Sequence, residues 1–418
     1  MKSLLFAVGL LLSLASCRVQ KKSQTIELEK LSNNHSGYLF IDAETGDTLL
    51  QSNAQKYFIP ASTTKLFTFY SSLNTLPETI PALKYKETAD SLIFWGTGDP
   101  SLLHKEFDSS KTLDFLRSKA NKHLVVSDSN FEENAYGKGW MWDDNLEPYQ
   151  AEISPMPLYG NLVHFEENAV QPSFFASYIE KIVSTDLKVH RNETDNRFQL
   201  PVQREGLAQA IPYKTSGELT AKLLSDTLHL AVAYYKIDQP TFTQTLYSVQ
   251  RDSLIIPMLF NSDNMFAEQL MLLCGHQSLG KLSISKAIDN LLSNGLAELP
   301  QKPRWVDGSG LSRYNLFTPQ DLVFLLQKIK TEYGLAKLIS YLPSNGNNGT
   351  MKTFAPNEPI FLHAKSGSMS GVYNMAGILE TASGKSVIFA VMHNNFTKAV
   401  PEVRKETEEM LLRFRDKN

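Results

Sequence analysis

The chain has 418 residues, 42% hydrophobic and 20% charged, a composition that excludes disorder and leaves room for two or three domains. Its formal net charge of −3 comes from dispersed Lys, Arg, Asp and Glu, which excludes a nucleic-acid groove or a polybasic membrane patch. Small or peptide-like substrates are left open.

Lys2 is followed by an apolar run that reaches Leu14 and ends in Ala15-Ser16-Cys17. Residues 1–16 read as an export signal, too short to persist as a spanning helix. The closing Leu14-Ala15-Ser16-Cys17 resembles the bacterial lipobox, which makes Cys17 the expected lipidation site and 17–36 a polar tether. With Cys17 so assigned, Cys274 has no disulfide partner; its apolar setting, Leu270 to Leu273, predicts buried packing.

Residues 38–42 and 48–51, joined by a Gly turn, predict a hairpin. Pro60 then precedes a helical recurrence of Leu66, Phe67, Phe69, Tyr70, Leu73 and Leu76. From 79 to 209 the texture changes to short β runs, a Gly-rich turn at 96–100 and an aromatic block, Trp140 to Asp144, predicting a β-rich inserted domain. Helices are expected at 217–230, 253–260, 264–273, 321–329, 332–339 and 400–413, and strands at 359–364, 375–379 and 387–391. Strands at both ends of the chain predict one mixed α/β body, residues 37–78 and 210–418, whose sheet is closed by the termini.

Ser62 and Lys65 stand three positions apart at the expected helix start, on one face, where the lysine can take the serine's proton. The spacing alone is weak, because Ser278/Lys281 and Ser283/Lys286 repeat it. Two further motifs single out the first: Ser262-Asp263-Asn264 between two helices and Lys365-Ser366-Gly367 at a strand. Together these three, in this order, resemble the signature of serine β-lactamases and penicillin-binding proteins. The 200 residues between Ser62 and Ser262 exceed what a compact β-lactamase needs. With residues 96–102, 139–144, 307–313 and 375–377, the chain looks like a class C low-molecular-mass penicillin-binding protein, the D-Ala-D-Ala carboxypeptidase/endopeptidase family of peptidase group S13.

The resemblance, from about 37 to 394, implies a penicillin-binding transpeptidase-like fold of the mixed α+β class, an antiparallel sheet flanked by helices. It implies Ser62 as nucleophile, Lys65 as base, Ser262 and Asn264 as proton relay and amide contacts, and Lys365 as carboxylate anchor. The oxyanion donors would be the backbone N–H groups of Ser62, at a helix start, and Ser368. Ser366, where threonine is usual, keeps the hydroxyl; Gly367 completes that motif. A pocket for the side chain of the stem peptide is implied at Trp140, Asp143 or Asp144, Tyr149, Arg313 and Met369. The expected substrates are peptidoglycan stem peptides, cut through a Ser62 acyl-enzyme, with β-lactams as covalent inhibitors and no metal or cofactor. The expected location is the periplasmic face of a bacterial membrane, held through lipidated Cys17. A β-lactamase and a non-catalytic cell-wall sensor lipoprotein are the alternative readings.

Overall fold

The computed structural model describes residues 34–166, 169–202, 208–241 and 243–418. The export signal and Cys17 lie outside the described residues.

Five antiparallel strands form the main sheet in the order Leu362–Met369, Val372–Glu380, Ser386–Asn394, His35–Asp42 and Thr48–Ser52. The first described strand therefore pairs with the last of the chain, His35 opposite Asn394, and the expected closure by the termini is present. Pairing begins at His35, so the sheet already includes the last residues of the expected tether. Because successive side chains point to opposite faces, each strand feeds two cores. Tyr38, Phe40, Phe389 and Val391 pack under the C-terminal helix Val400–Lys417, with Phe414 in their cluster. Leu39, Ile41, Ile388, Ala390 and Met392 face the opposite layer, which contains helices Lys65–Thr75, Asn264–Leu279 and Pro319–Tyr333. Both faces being covered, these strands read as apolar runs without alternation.

Helix Asn264–Leu279 runs through the centre of the opposite layer and is buried without interruption from Phe266 to His276. Such all-round burial explains why its sequence shows little amphipathic contrast. Asp263 caps it by accepting from Phe266 N at 2.9 Å, which accounts for the middle residue of the Ser262-Asp263-Asn264 motif.

The insert enters and leaves through paired strands. Strand Thr79–Glu87 pairs antiparallel with Gln244–Gln250, and Arg251 N donates to Glu78 O at 2.7 Å across the neck. The inserted unit thus extends to Gln250, beyond the expected boundary at 209. Helix Gly217–Leu228, expected in the main body, contributes Leu219, Leu223 and Leu224 to the insert's core instead. The insert is also less purely β than expected. Strands Ser91–Gly96, His123–Ser127 and Val232–Tyr234 run parallel, and helices Ser110–Arg117 and Gly217–Leu228 lie between them in the chain. Two three-stranded sheets add Val163, Phe165 and Phe198 to the same cluster, so the insert shares one continuous core.

The insert sits on the central helix through buried polar contacts. Gln269 Nε2 donates to Gly98 O and Ser154 O at 2.8 and 2.9 Å. At the end of the helix where the Ser262 motif lies, Asn264 Nδ2 donates to Tyr149 O at 3.0 Å and ties the loop of residues 136–150 to it.

Candidate active site

Ser62 lies in a 3-10 turn, Ala61–Thr64, that runs directly into helix Lys65–Thr75. The approach is held from the sheet. Ile59 O accepts from Asn374 Nδ2 at 2.9 Å, and Ile59 N donates to Asn394 Oδ1 at 2.6 Å. Ala61 takes φ +48 and Ser262 takes φ +60, conformations that L residues seldom adopt. Two of the serine-bearing turns are thus in backbone states that only the surrounding packing can hold.

Lys65 Nζ lies 3.0 Å from Ser62 Oγ, 2.6 Å from Asn264 Oδ1 and 2.8 Å from Ser309 O. Full burial pulls its pKa down to about 8, while Glu268, Asp263 and Asp307 oppose the fall. The ammonium is therefore poised close to neutrality and in contact with the hydroxyl it would deprotonate. Lys365, also fully buried, donates to Ser262 Oγ at 2.9 Å and to Ser366 O at 2.6 Å. Burial and the neighbouring Lys65 hold its pKa well below the ordinary lysine value. The two lysines and the two serines form one contiguous cluster spanning three segments.

Strand Leu362–Met369 passes directly against the Ser62 turn. A Cβ on Gly367 would stand 2.7 Å from Ser62 N and 2.8 Å from Pro60 O, so only glycine permits this approach. Gly310, at φ +81, packs as tightly against Ala61 O on another side.

A cleft of about 510 Å³ opens over Ser62. Ser262, Asn264, Ser366, Ser368 and Met369 line it, with Arg313, Asp144 and Tyr149 and also Thr350, Met141 and Leu311. Arg313 donates to Ser370 O at 2.8 Å, leaving its side chain along the rim. Burial and the adjacent Asp144 push the Tyr149 hydroxyl up to about 12. Lys65, Lys365 and Gly367 sit behind the wall rather than in it.

Trp140 and Asp143, expected in the side-chain pocket, do not line this cleft. The indole of Trp140 donates to Asp307 Oδ2 at 3.0 Å and braces the insert's loop against the main body. Asp144 is the member of the acidic pair that faces the cleft. The two rival Ser-x-x-Lys pairs are structural. Ser278 Oγ donates to Cys274 O, Ser283 caps helix Ile284–Asn294, and Lys281 and Lys286 both pair with Glu132. Cys274 is buried, its thiol pushed up to about 11 by burial.

The sequence reading missed the carboxylates beneath the site. Glu268 is 1% exposed and accepts from Gly308 N at 2.8 Å and Ser309 N at 2.7 Å. Asp307 accepts from Gly310 N, Ser312 N and Asn315 Nδ2 at 2.9, 2.7 and 2.7 Å. Burial raises the pKa of both, and Asp307 adds to the rise at Glu268. Together they fix the loop whose Ser309 carbonyl holds Lys65. The available signal was Glu268 itself, an acid inside the apolar run of helix Asn264–Leu279.

The model of the D-Ala-D-Ala carboxypeptidase 3 (S13) family matches residues 19–416. D-alanyl-D-alanine carboxypeptidase DacB of Haemophilus influenzae is 24% identical over 420 residues, covering 86% of this chain and 85% of its own. A D-alanyl-D-alanine carboxypeptidase of Actinomadura sp. is 22% identical over 435 residues, covering 88% and 79%. Penicillin binding protein 4 of Haemophilus influenzae superposes with a TM-score of 0.76 at 21% identity, covering 92% of this chain and 98% of that one. Its complex with a β-lactam superposes at 0.72 and 20% identity, covering 93% and 98%. The fold, the assembled serine and lysine cluster and a match over nearly the whole length agree: this chain belongs to the D-Ala-D-Ala carboxypeptidase 3 (S13) family, a family of peptidases.

Proposed function

We propose that the protein hydrolyses D-alanyl-D-alanine bonds of peptidoglycan stem peptides through a Ser62 acyl-enzyme. The observation that carries this reading is the 3.0 Å contact between Ser62 Oγ and a fully buried Lys65 whose pKa is drawn down to about 8. Lys65 in its neutral form accepts the Ser62 proton as Oγ attacks the carbonyl carbon of the penultimate D-alanine. The developing oxyanion is met by the backbone N–H groups of Ser62 and Ser368, which the close pass of Gly367 brings to the same wall.

Collapse breaks the C–N bond and the departing amine takes its proton from Ser262 Oγ; the proton that Lys65 drew from Ser62 makes good that loss in the Ser262–Lys365 pair, 2.9 Å apart, which leaves Lys65 neutral and Lys365 charged. Water then attacks the ester with Lys65 again as base, releasing the shortened peptide and restoring Ser62. Lys365 lies behind Ser262 and Ser366, so it attracts the substrate carboxylate through its field and those two hydroxyls. Attack on a D-amino-acid crosslink follows the same steps and gives endopeptidase activity. Arg313, Asp144, Tyr149 and Met369 line the part of the cleft suited to a side chain carrying both a carboxylate and an ammonium. A β-lactam, as a mimic of the acyl donor, acylates Ser62; the β-lactam complex of the Haemophilus influenzae relative supports this.

The substrate implies an extracytoplasmic location, and lipidation of Cys17 is part of the same proposal. No described helix is long and apolar enough to cross a membrane. The mass of the mature N-terminus tests the lipid. Labelled penicillin tests the nucleophile: the wild type becomes labelled and Ser62→Ala does not. Equal labelling of both would overturn the assignment.

A further inference from the structure

A second pocket, of about 330 Å³, lies beside the active cleft, with Met141 lining both. Trp140 and Tyr136 form one aromatic wall, their rings edge to face at 6.3 Å. Trp142 lines another side and leaves 81% of its surface to solvent, so most of its indole face is open to a ligand. Gln150, 2% exposed, also lines the pocket. Its amide nitrogen donates to Met141 O at 2.7 Å, while its oxygen is buried and meets no donor among the described residues. Lys214 is loosely held, 3.7 Å from Glu152, whose other oxygen is already taken by Thr215. Arg191 spends its guanidinium on the carbonyls of Pro212 and Asn192, so the pocket is no arginine clamp for an anion.

Resting on the peptidoglycan reading of the adjoining cleft, we propose that this pocket is a glycan subsite that takes one N-acetylated amino sugar of the strand bearing the stem peptide. A pyranose ring offers C–H faces for the exposed indole of Trp142 and hydroxyls at its edge. Its acetamido group offers an N–H for the unpaired Gln150 oxygen and a carbonyl for Lys214. The unmet acceptor and the loosely held donor are the complement of an amide. At the small end of the range for ligand sites, the pocket suits a single sugar better than a second peptide chain. Met141 joins the two cavities, so one substrate can place its scissile bond over Ser62 and its sugar between the tryptophans.

The test uses the full chain and the disaccharide of N-acetylglucosamine and N-acetylmuramic acid without peptide, followed by tryptophan fluorescence. Saturable quenching is expected, about ten-fold weaker in Trp142→Ala, the equivalent of one stacked aromatic contact. Turnover gives the second arm. The ratio of kcat/KM for a disaccharide-linked pentapeptide to that for the free pentapeptide should exceed one in the wild type and fall about ten-fold in Trp142→Ala. No quenching, equal quenching in the variant, or displacement of the disaccharide by free stem peptide would overturn the subsite. A protein that takes labelled penicillin but ignores the disaccharide refutes the subsite alone. One that binds the disaccharide but neither acylates nor cleaves refutes the hydrolase reading and leaves the subsite standing.

Discussion

Glu268→Gln keeps the shape of the side chain and removes a carboxylate that burial and Asp307 push toward neutrality and that two backbone N–H bonds favour in its ionised form. In the native protein both carboxylate oxygens accept backbone N–H groups, from Gly308 and Ser309, at 2.8 and 2.7 Å. The amide can accept only one of them and sets its own N–H₂ against the other. Losing one charge-assisted bond and stranding a buried donor costs about 2–4 kcal/mol. The second effect is electrostatic. Glu268 is the largest of the charges that hold the Lys65 pKa up against burial, so its removal lowers that pKa further below about 8. Denaturant unfolding should show the stability loss, and the rate of penicillin acylation against pH should show its midpoint moved to lower pH. The plateau should fall about ten-fold as Ser309 O loosens its hold on Lys65. Unchanged stability, or a midpoint that stays in place or moves up, would refute the idea that an ionised Glu268 supports the catalytic lysine.

In the wild type, acylation should rise with pH through about 8, because Lys65 serves as base only after losing its proton, and a flat profile from pH 6 to 9 would contradict this role. Lys65→Ala should abolish that limb and slow acylation by about 10²–10⁴-fold, measured with labelled penicillin. Gly367→Ala places a methyl group 2.7 Å from Ser62 N; a stability loss of about 1–3 kcal/mol by denaturation and a marked loss of acylation are expected.

How much of the site was legible follows from the nature of each signal. Ser62, Lys65, Ser262, Asn264 and Lys365, which the structure brings together, stand out in the sequence because the chemistry proposed for them is confined to short motifs at fixed spacing. Spacing could not rank Ser62/Lys65 above Ser283/Lys286; the fold does so by making Ser283 a helix cap and giving Lys286 to Glu132. Trp140 was read as a pocket wall because a tryptophan beside two acids fits a binding role equally well. Only the position of Asp307, 167 residues further on, shows where its indole N–H points.

The insert was misjudged for a related reason. Residues 217–228 have a helical pattern that does not say which of two cores will bury it, and the last strand, Gln244–Gln250, belongs to the insert because it pairs with Thr79–Glu87 across the neck.

The sequence by itself therefore determined the reaction class, the closing of the sheet by its ends, and the choice of motif residues that the proposed mechanism uses. These reside in local chemistry and in hydrophobic periodicity, which a linear chain displays. The tertiary structure alone decided that two buried carboxylates carry the loop that holds Lys65, that Gly367 must touch Ser62, and that Asp144 rather than Asp143 faces the cleft. Each of those depends on the approach of segments distant in the chain, and on how much water that approach removes from a charge. Sequence order carries no direct measure of either.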